Sequence, residues 1–594
     1  MTPHAARGKG IGGFRDGVPR LGLFAKRRPP ISGKLTVMQD REPALAGDIM
    51  WPRAKAMGKK ERLKYFSSPG RADIIATRWA KTLCRHYRGS RAISGRALPR
   101  LSPWATLCRP FRGLNLFGWV FIILALLAVP LRARDFPPDV PPPKPIVIPA
   151  PAIQTLPNGL QVVVVERHTL PLITLRLVVK SGAECDPPNL PGTAALVNGL
   201  LTEGTARRTA RQIAEAIDSV GGVADNDVDW DSSYLSLSVL TDRTDLAFDL
   251  VSDMIAHPAF QPAEIERQRK QTLSGLQVAQ DDPAYVADMA FQNLIFSGTA
   301  YGHPENGTPA SAQRITAQDL RDFHRRYYQP ANCILAVVGD ITAKDATALA
   351  AKYFSGWKNG SEFAPAPSGA PTPSDERRVV AIDKGDAVQT EIRIGTLGVP
   401  HDSPDYLALS VVNEILGGPS ENRLFKALRT RQGLTYGASS DLVCRRHLGA
   451  WVAKTFTRTP ETLKSAHIAL EQIQTLQEHG INRQELDTAQ SYLVGHLALE
   501  FETSDNVAGK VLELIQDGLP LDYWNHYPEK IQALTSDAVG AAAKRYLDTD
   551  HGVTVLVGSI SDFKKDLKKL GHVRVIPLSD IDFGSPDLVR ASGK

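Results

Sequence analysis

Two short segments of this chain each recur once in similar form, and the separation between the two occurrences is nearly the same for both. VNGLL at 197–201 returns 215 residues later as VNEIL at 412–416. Gly-Asp-Ile at 339–341 returns 219 residues later as Gly-Ser-Ile at 558–560. Two matches at nearly one offset indicate an internal duplication rather than chance. We therefore expect two copies of one folding unit.

Each copy mixes strand patterns with helix patterns. In the first copy, Val-rich or alternating runs predict strands at 160–167, 172–180, 234–240 and 333–338. Helical periodicity predicts helices at 210–220, 245–256 and 262–279. The second copy repeats the order with a strand at 391–398 and a helix at 406–416. This pattern predicts an α+β fold, two homologous layered α/β-sandwich domains that each pair an antiparallel sheet with helices.

Composition shifts divide the chain of 594 residues into segments. Residues 1–134 hold 27 basic and 6 acidic side chains, whereas the remainder holds 43 basic and 57 acidic ones. The basic residues are scattered through Pro- and Gly-broken sequence with no recognisable module, which argues against nucleic-acid binding. The predicted segments are a basic extension at 1–108, a hydrophobic segment at 109–133, a Pro-rich spacer at 134–152, a first domain at 153–358, a linker at 359–375, a second domain at 376–575 and a tail at 576–594.

The hydrophobic segment begins with Arg109 and Arg112, and an apolar run follows from 114 to 129, interrupted only by Asn115 and Gly118. A positively charged flank, an apolar run and a small residue, Ala133, at a possible cleavage site are typical of a secretory signal peptide. The run is short for a membrane span, which needs about 20 apolar residues, but an uncleaved anchor stays open. About a hundred residues precede it, either a disordered basic arm or an over-extended gene model. We expect a periplasmic or otherwise exported protein, either free or anchored in the inner membrane.

The motifs of the first copy lie in a fixed order. The stretch 192–205 reads GTAALVNGLLTEGT, with apolar residues at helical spacing before a small-residue stop. It resembles the site helix of the pitrilysin/insulinase (inverzincin) metallopeptidases, where the same frame carries H-x-x-E-H. Further similarities to this family are LPNGL at 156–160, YGHP at 301–304 and the segment 325–340 ending in VVGD. The resemblance covers about 153–563 and implies two homologous domains in a clamshell-like arrangement.

The family's zinc residues are absent from this frame. Laid onto it, the two histidine ligands fall on Ala195 and Gly199, the glutamate base on Asn198, and the third ligand on Gly275. Alanine and glycine side chains have no donor atom, and a neutral amide is a poor base. A zinc site needs about three protein donors. We therefore expect no metal in this chain, no catalytic residue of its own, and no peptidase activity from the chain alone.

Other histidines offer no replacement site. His496 and Glu500, like His467 and Glu471, stand four residues apart and are typical of solvated helix-face pairs. No third ligand follows at a suitable spacing, and His303 fits a structural hydrogen-bonding role. Of the five cysteines, Cys185, Cys333 and Cys444 follow the hydrophobic segment, with no disulfide framework or zinc-finger spacing.

The second copy keeps a pair of residues that the family uses. NRLFKALRTRQGLTY at 422–436 predicts a helix and then a strand from near Leu434. By periodicity alone, Arg429 would be a solvated helix residue and Tyr436 a half-buried strand aromatic. The resemblance implies another role, because family members carry an Arg and a Tyr at this spacing that reach the zinc site. There the arginine binds a substrate carbonyl and the tyrosine donates to the oxyanion.

The resemblance implies that two polypeptides together supply the residues of one peptidase site. The chain looks like the zinc-less subunit of a heterodimer whose paralogous partner carries H-x-x-E-H and the zinc. Such a pair would hydrolyse peptides or unfolded polypeptides in a chamber between the subunits. The alternative is a non-catalytic scaffold or binding subunit of the same fold.

Overall fold

The structure is a computed structural model that describes residues 148–360, 369–372, 374–419 and 422–590. All of them belong to one compact unit. The predictions for the basic extension, the hydrophobic segment, most of the Pro-rich spacer and most of the linker fall outside the described residues. Within those residues, none of the helices has the length and apolar character needed to cross a membrane.

The first half contains six strands and eight α-helices among its described residues. The strands are β1 Ala152–Thr155, β2 Gln161–Glu166, β3 Leu172–Val179, β4 Val223–Val228, β5 Ser233–Leu240 and β6 Cys333–Gly339. The helices are α1 Thr193–Gly199, α2 Ala210–Asp218, α3 Thr244–Ala256, α4 Pro262–Asp281, α5 Pro283–Ile295, α6 Pro309–Arg314, α7 Ala317–Tyr327 and α8 Ala343–Phe354. The sequence patterns located most of these elements but missed the edge strands β1 and β4 and the helices α5, α6 and α7.

The second half repeats this plan. Its strands are β7 Arg378–Asp383, β8 Gln389–Gly398, β9 Ala438–Cys444, β10 Gly449–Arg458, β11 Val553–Gly558 and β12 Val573–Pro577. Its α-helices are α9 Tyr406–Gly417, α10 Arg423–Phe425, α11 Thr462–His479, α12 Arg483–His496, α13 Ser504–Gln516, α14 Tyr523–Gln532 and α15 Ser536–Tyr546. A π-helical turn, Lys426–Arg431, continues α10 directly.

Five strands of each sheet follow the same order, which confirms the predicted α+β fold of two homologous layers. The sixth strand, at one edge, is the N-terminal β1 in the first sheet and the C-terminal β12 in the second. The first sheet runs β1-β2-β6-β3-β5-β4 and the second β12-β7-β11-β8-β10-β9. Most neighbours are antiparallel, as predicted. However, β2 pairs with β6 in parallel, and β7 pairs in parallel with both β11 and β12. These three pairs depart from the predicted antiparallel arrangement, because connections of a dozen or more residues let a strand return in the same direction.

Each half sends one helix onto the sheet of the other half. Helix α5 of the first half packs in one apolar cluster with β7, β10 and β11 of the second sheet. Helix α13 of the second half packs against β3 and β6 of the first sheet. The opposite face of the first sheet is covered by its own helices, including α1, α3 and α7. The halves are therefore joined by exchanged helices and by two apolar clusters that contain residues of both halves.

Candidate functional site

Helix α1 holds three of the four positions where the family's zinc residues were expected. It begins after Gly192, whose φ of +90° suits a residue without a side chain. The Asp186 carboxylate accepts hydrogen bonds from the backbone N–H groups of Gly192 at 2.6 Å and Ala194 at 2.7 Å. Burial raises the pKa of Asp186 to about 8. The start of the helix is thus fixed by local hydrogen bonds.

Asn198 is bonded into the edge of the first sheet. Its side chain is 1% exposed, and Nδ2 donates to the backbone oxygens of Asp227 at 2.8 Å and Tyr234 at 3.1 Å. Its Oδ1 accepts from Nδ2 of Asn226 at 2.7 Å. Both polar atoms of the amide are therefore occupied by β4 and β5. The residue ties α1 to the sheet and leaves no atom to activate water.

The remaining expected positions supply no ligand. Ala195 and Gly199 lie one turn apart on α1 and are half-buried. A Cβ atom on Gly199 would lie 3.0 Å from Nε2 of Gln268 on α4, whereas a Cβ on Gly275 would meet nothing within 4 Å. The side chain beside Gly199, where the second histidine ligand was expected, is therefore the amide of Gln268. Residue 275, where the third ligand was expected, does not contact this position. Alanine, asparagine, glycine and glutamine do not form a zinc-binding donor set, so these residues do not fit the ion.

The Arg429 segment is an irregular turn on the second half. Asn422 begins it, since its Oδ1 accepts from the N–H of Phe425 at 2.7 Å. The π-helical turn then carries Arg429, and its guanidinium lies 4.8 Å from the centre of the Phe425 ring. The turn ends where Leu434 N–H donates to the oxygen of Leu428 at 2.9 Å. π-helical turns occur frequently at functional sites.

Tyr436 lies in the loop between this turn and β9. The predicted strand near Leu434 is wrong, because β9 begins at Ala438. The interpretation of Tyr436 as a half-buried strand aromatic is also wrong, since the residue is 78% exposed. Its backbone is fixed by the neighbouring Thr435, whose Oγ1 donates to the oxygen of Gly437 at 2.8 Å and accepts from the N–H of Gly437 at 3.1 Å. The phenol therefore projects into solvent from an ordered loop.

Two of the other histidines, His496 and His303, take the roles that the sequence predicts. His496 lies 3.3 Å from Glu500 in an exposed pair. His303 is hydrogen-bonded at Nδ1 to the oxygen of Pro304 at 3.1 Å, and burial lowers the pKa of its imidazole. In both cases the side chain serves local structure.

Two family models match this chain side by side. Residues 161–308 match "Insulinase (Peptidase family M16)", and residues 314–493 match "Peptidase M16 inactive domain". The chain belongs to the insulinase family. Most of the second half thus corresponds to the family's inactive domain, and the chain is a peptidase-like member of this family.

Two relatives align with about two thirds of the chain. An uncharacterized zinc protease of Mycobacterium leprae is 26% identical over 407 residues, which is 68% of this chain and 90% of the relative. One from Streptomyces coelicolor is 26% identical over 419 residues, 69% of this chain and 89% of the relative. Similarity to the insulinase family therefore extends through both halves.

Solved structures agree with the fold. A peptidase M16 inactive domain from Pseudomonas fluorescens has a TM-score of 0.64 at 28% identity, covering 69% of this chain and 97% of that chain. A protease from Helicobacter pylori has a TM-score of 0.64 at 21% identity, covering 68% and 99%. The second comparison supports the fold alone.

Proposed function

We propose that this chain is the subunit of a heterodimeric insulinase-family peptidase that lacks the catalytic zinc. In this hypothesis a paralogous H-x-x-E-H subunit supplies the zinc, and this chain supplies Arg429 and Tyr436. The substrates are peptides or unfolded polypeptides. The observation that carries the proposal is the contrast between the two halves. The first half has no donor set for zinc, whereas the second presents Tyr436 with 78% of its surface exposed on a fixed loop.

The contacts of the two side chains suit work on an external ligand. Among the described residues, the Tyr436 hydroxyl has no hydrogen-bond partner, and Arg429 rests on the ring of Phe425. The guanidinium can donate to a substrate carbonyl, and the phenol can donate to the oxyanion that forms when water attacks the scissile carbonyl. Neither group activates water, so hydrolysis needs the zinc-bearing partner.

The test is peptide hydrolysis by the full chain, by the H-x-x-E-H paralogue, and by the two mixed, with Tyr436→Phe as the variant. We expect activity only in the mixture. Loss of one oxyanion donor should lower kcat about 10²- to 10³-fold. Tyr285→Phe is the matched control, because this tyrosine packs within the apolar cluster between the halves.

Two outcomes would contradict the proposal. A mixture no faster than the paralogue alone, or a Tyr436→Phe variant as active as wild type, would favour the scaffold subunit. Hydrolysis by this chain alone, abolished by a chelator, would refute the assignment of a subunit that lacks the catalytic zinc.

We further propose export through the apolar run 114–129, with the folded halves in the periplasm. The support is the positive flank and apolar run described above. Cell fractionation with N-terminal sequencing of the purified protein tests it. A new N-terminus near Asp135 in the soluble periplasmic fraction would establish a cleaved signal peptide, and an intact segment in the membrane fraction would establish an anchor. Recovery in the cytoplasm would refute export.

A further inference from the structure

A polar cavity of about 420 Å³ lies at the seam between the halves. Its lining combines side chains from the first sheet, such as Arg176 and Tyr234, with side chains from helix α13 and the loop after β8 of the second half. Neither the family's zinc positions nor the Arg429–Tyr436 segment contributes to it. It is therefore separate from the proposed peptidase function.

Three metal-ligating side chains meet in this cavity. His401 follows β8 and is 6% exposed. Its Nδ1 lies 2.7 Å from Oδ2 of Asp517 and 3.3 Å from Oε1 of Glu513. One ligand atom from each of the three lies within 4.8 Å of the others. Imidazole nitrogen with two carboxylate oxygens is a donor set that suits Zn²⁺.

Glu513 and Asp517 both face Nδ1 of His401, but only one of the two carboxylates can accept a hydrogen bond from it. Nδ1 of a histidine can carry only one proton, so it can donate a full hydrogen bond to one of the two oxygens. The other ring nitrogen, Nε2, is buried and has no hydrogen-bond partner among the described residues. All polar interactions of this imidazole are thus concentrated at Nδ1, where a cation would satisfy the histidine and both acids together.

The position of the two acids at the end of helix α13 also favours a bound cation. Glu513 and Asp517 stand one turn apart at the C-terminus of α13, and the last turn contains no basic residue. A helix C-terminus carries about half a negative charge, which disfavours carboxylates and favours cations. The two acids are therefore in the part of the helix where an unneutralised negative charge is least stable.

The cavity's arginines have other partners. Arg176 pairs with Asp505 at 2.8 Å, and Arg446 pairs with Glu184 at 3.0 Å. Arg445 lies over the ring of Trp230, with its guanidinium carbon 3.7 Å from the ring centre. Lys510 contacts the second oxygen of Glu513 at 3.0 Å, which leaves Oε1 directed at His401. Among the described residues, none of these cations stands between the three ligand atoms.

We propose that His401, Glu513 and Asp517 bind one structural Zn²⁺ ion, with water from the cavity completing the tetrahedral shell. The ion takes the lone pair of Nδ1. The proton that Nδ1 held is released to solvent and Nε2 takes one up from solvent, so the imidazole stays neutral. Because α13 packs on the first sheet while His401 belongs to the second half, the ion would fasten the exchanged helix at its C-terminal end. The sequence conceals this site because His401 and Asp517 are 116 residues apart.

The experiment is a Zn²⁺ titration of the metal-stripped full chain against a chromophoric chelator, with thermal unfolding followed in parallel. The variants are His401→Ala and the nearly isosteric Asp517→Asn. The matched control is His551→Ala, which removes an exposed histidine that pairs with Asp548 at 2.8 Å. Circular dichroism and the Tm without metal verify that each variant folds.

We expect one Zn²⁺ per chain and a Tm that rises with zinc concentration. Both ligand variants should lose at least about tenfold in affinity, and the control should match wild type. The proposal is overturned if no ion binds, or if folded Asp517→Asn binds zinc as tightly as the control. These readouts need neither a partner nor peptidase activity, so they are independent of the proposed heterodimer.

Discussion

Arg393 on β8 donates from Nε to Asp288 on α5 at 2.6 Å and so joins the second sheet to a helix of the first half. Arg176 on β3 and Asp505 on α13 form the counterpart at 2.8 Å. The two arginines are 217 residues apart, and so are the two aspartates. The duplication has therefore kept both the exchanged helices and the charge pair that attaches each of them to the opposite sheet.

Asp288→Ala should destabilise the junction between the halves. Arg393 is 4% exposed, and the substitution leaves Glu391, at 2.8 Å, as its remaining carboxylate partner. An underpaired buried cation costs more than a lost surface contact, so we expect the free energy of unfolding to fall by about 1–3 kcal/mol. Denaturant unfolding measures it.

The control for this prediction is Asp487→Ala, which breaks the exposed pair with Arg483 at 2.9 Å. Exposed pairs contribute about 0–1 kcal/mol, so its effect should be small. Equal losses in both variants would mean that the ion pair on α5 is no more important than one on the surface.

Asn198 and Asn413 occupy equivalent positions but should respond differently to the same substitution. Asn198 donates to two backbone oxygens, whereas Oδ1 of Asn413 accepts from Oγ of Ser440 at 2.7 Å and Nε1 of Trp451 at 3.1 Å. In Asn198→Asp, a buried carboxylate would face carbonyl oxygens. We expect a loss of about 2 kcal/mol or more in unfolding free energy.

Asn413→Asp is the matched variant, because a carboxylate can still accept both of its hydrogen bonds. Its loss should be clearly smaller than that of Asn198→Asp in the same denaturant experiment. A larger loss at 413 would show that the donor and acceptor assignments of the two amides are reversed.

The fold was predictable where periodic patterns and the duplication coincide. Segments such as Val197–Leu201 identified the repeated unit and the strands beside it. Helix α5 was not predicted because it is buried against the sheet of the other half. Its apolar residues do not form the stripe of a helix that packs within its own half, so the sequence of one half does not indicate it. At the candidate site, the sequence alone shows that Ala195 and Gly199 carry no metal-donor atom. The bonds of Asn198 and the His401 cluster depend on distant segments, so local spacing does not reveal them.

The pH dependence of stability should include a contribution from Glu414 on α9. Burial raises the pKa of its carboxyl from 4.5 to about 7. The folded state therefore holds its proton at pH values where the unfolded state has lost it. Stability due to this group is highest below about pH 4.5 and falls as the pH rises toward 7.

Glu414→Gln should remove this contribution. We expect the wild type to lose roughly 1–2 kcal/mol of unfolding free energy between pH 5 and 8 through this group, and the variant to lose less by that amount. The measurement is denaturant unfolding of both proteins across this range. Parallel pH profiles would contradict the assignment to Glu414.

Arg429→Lys should impair the mixed peptidase although it keeps the charge. Lysine lacks the planar guanidinium that donates two parallel hydrogen bonds. Lysine also stacks less well on an aromatic ring, and the Arg429 guanidinium lies 4.8 Å from the centre of the Phe425 ring. We expect kcat/KM of the heterodimer to fall about tenfold or more, from the loss of a charge-assisted hydrogen bond. Arg431→Lys, in the same π-helical turn, should leave kcat/KM unchanged. Because the turn carries both arginines, equal losses would indicate damage to the turn itself, and no loss in either would separate Arg429 from the reaction.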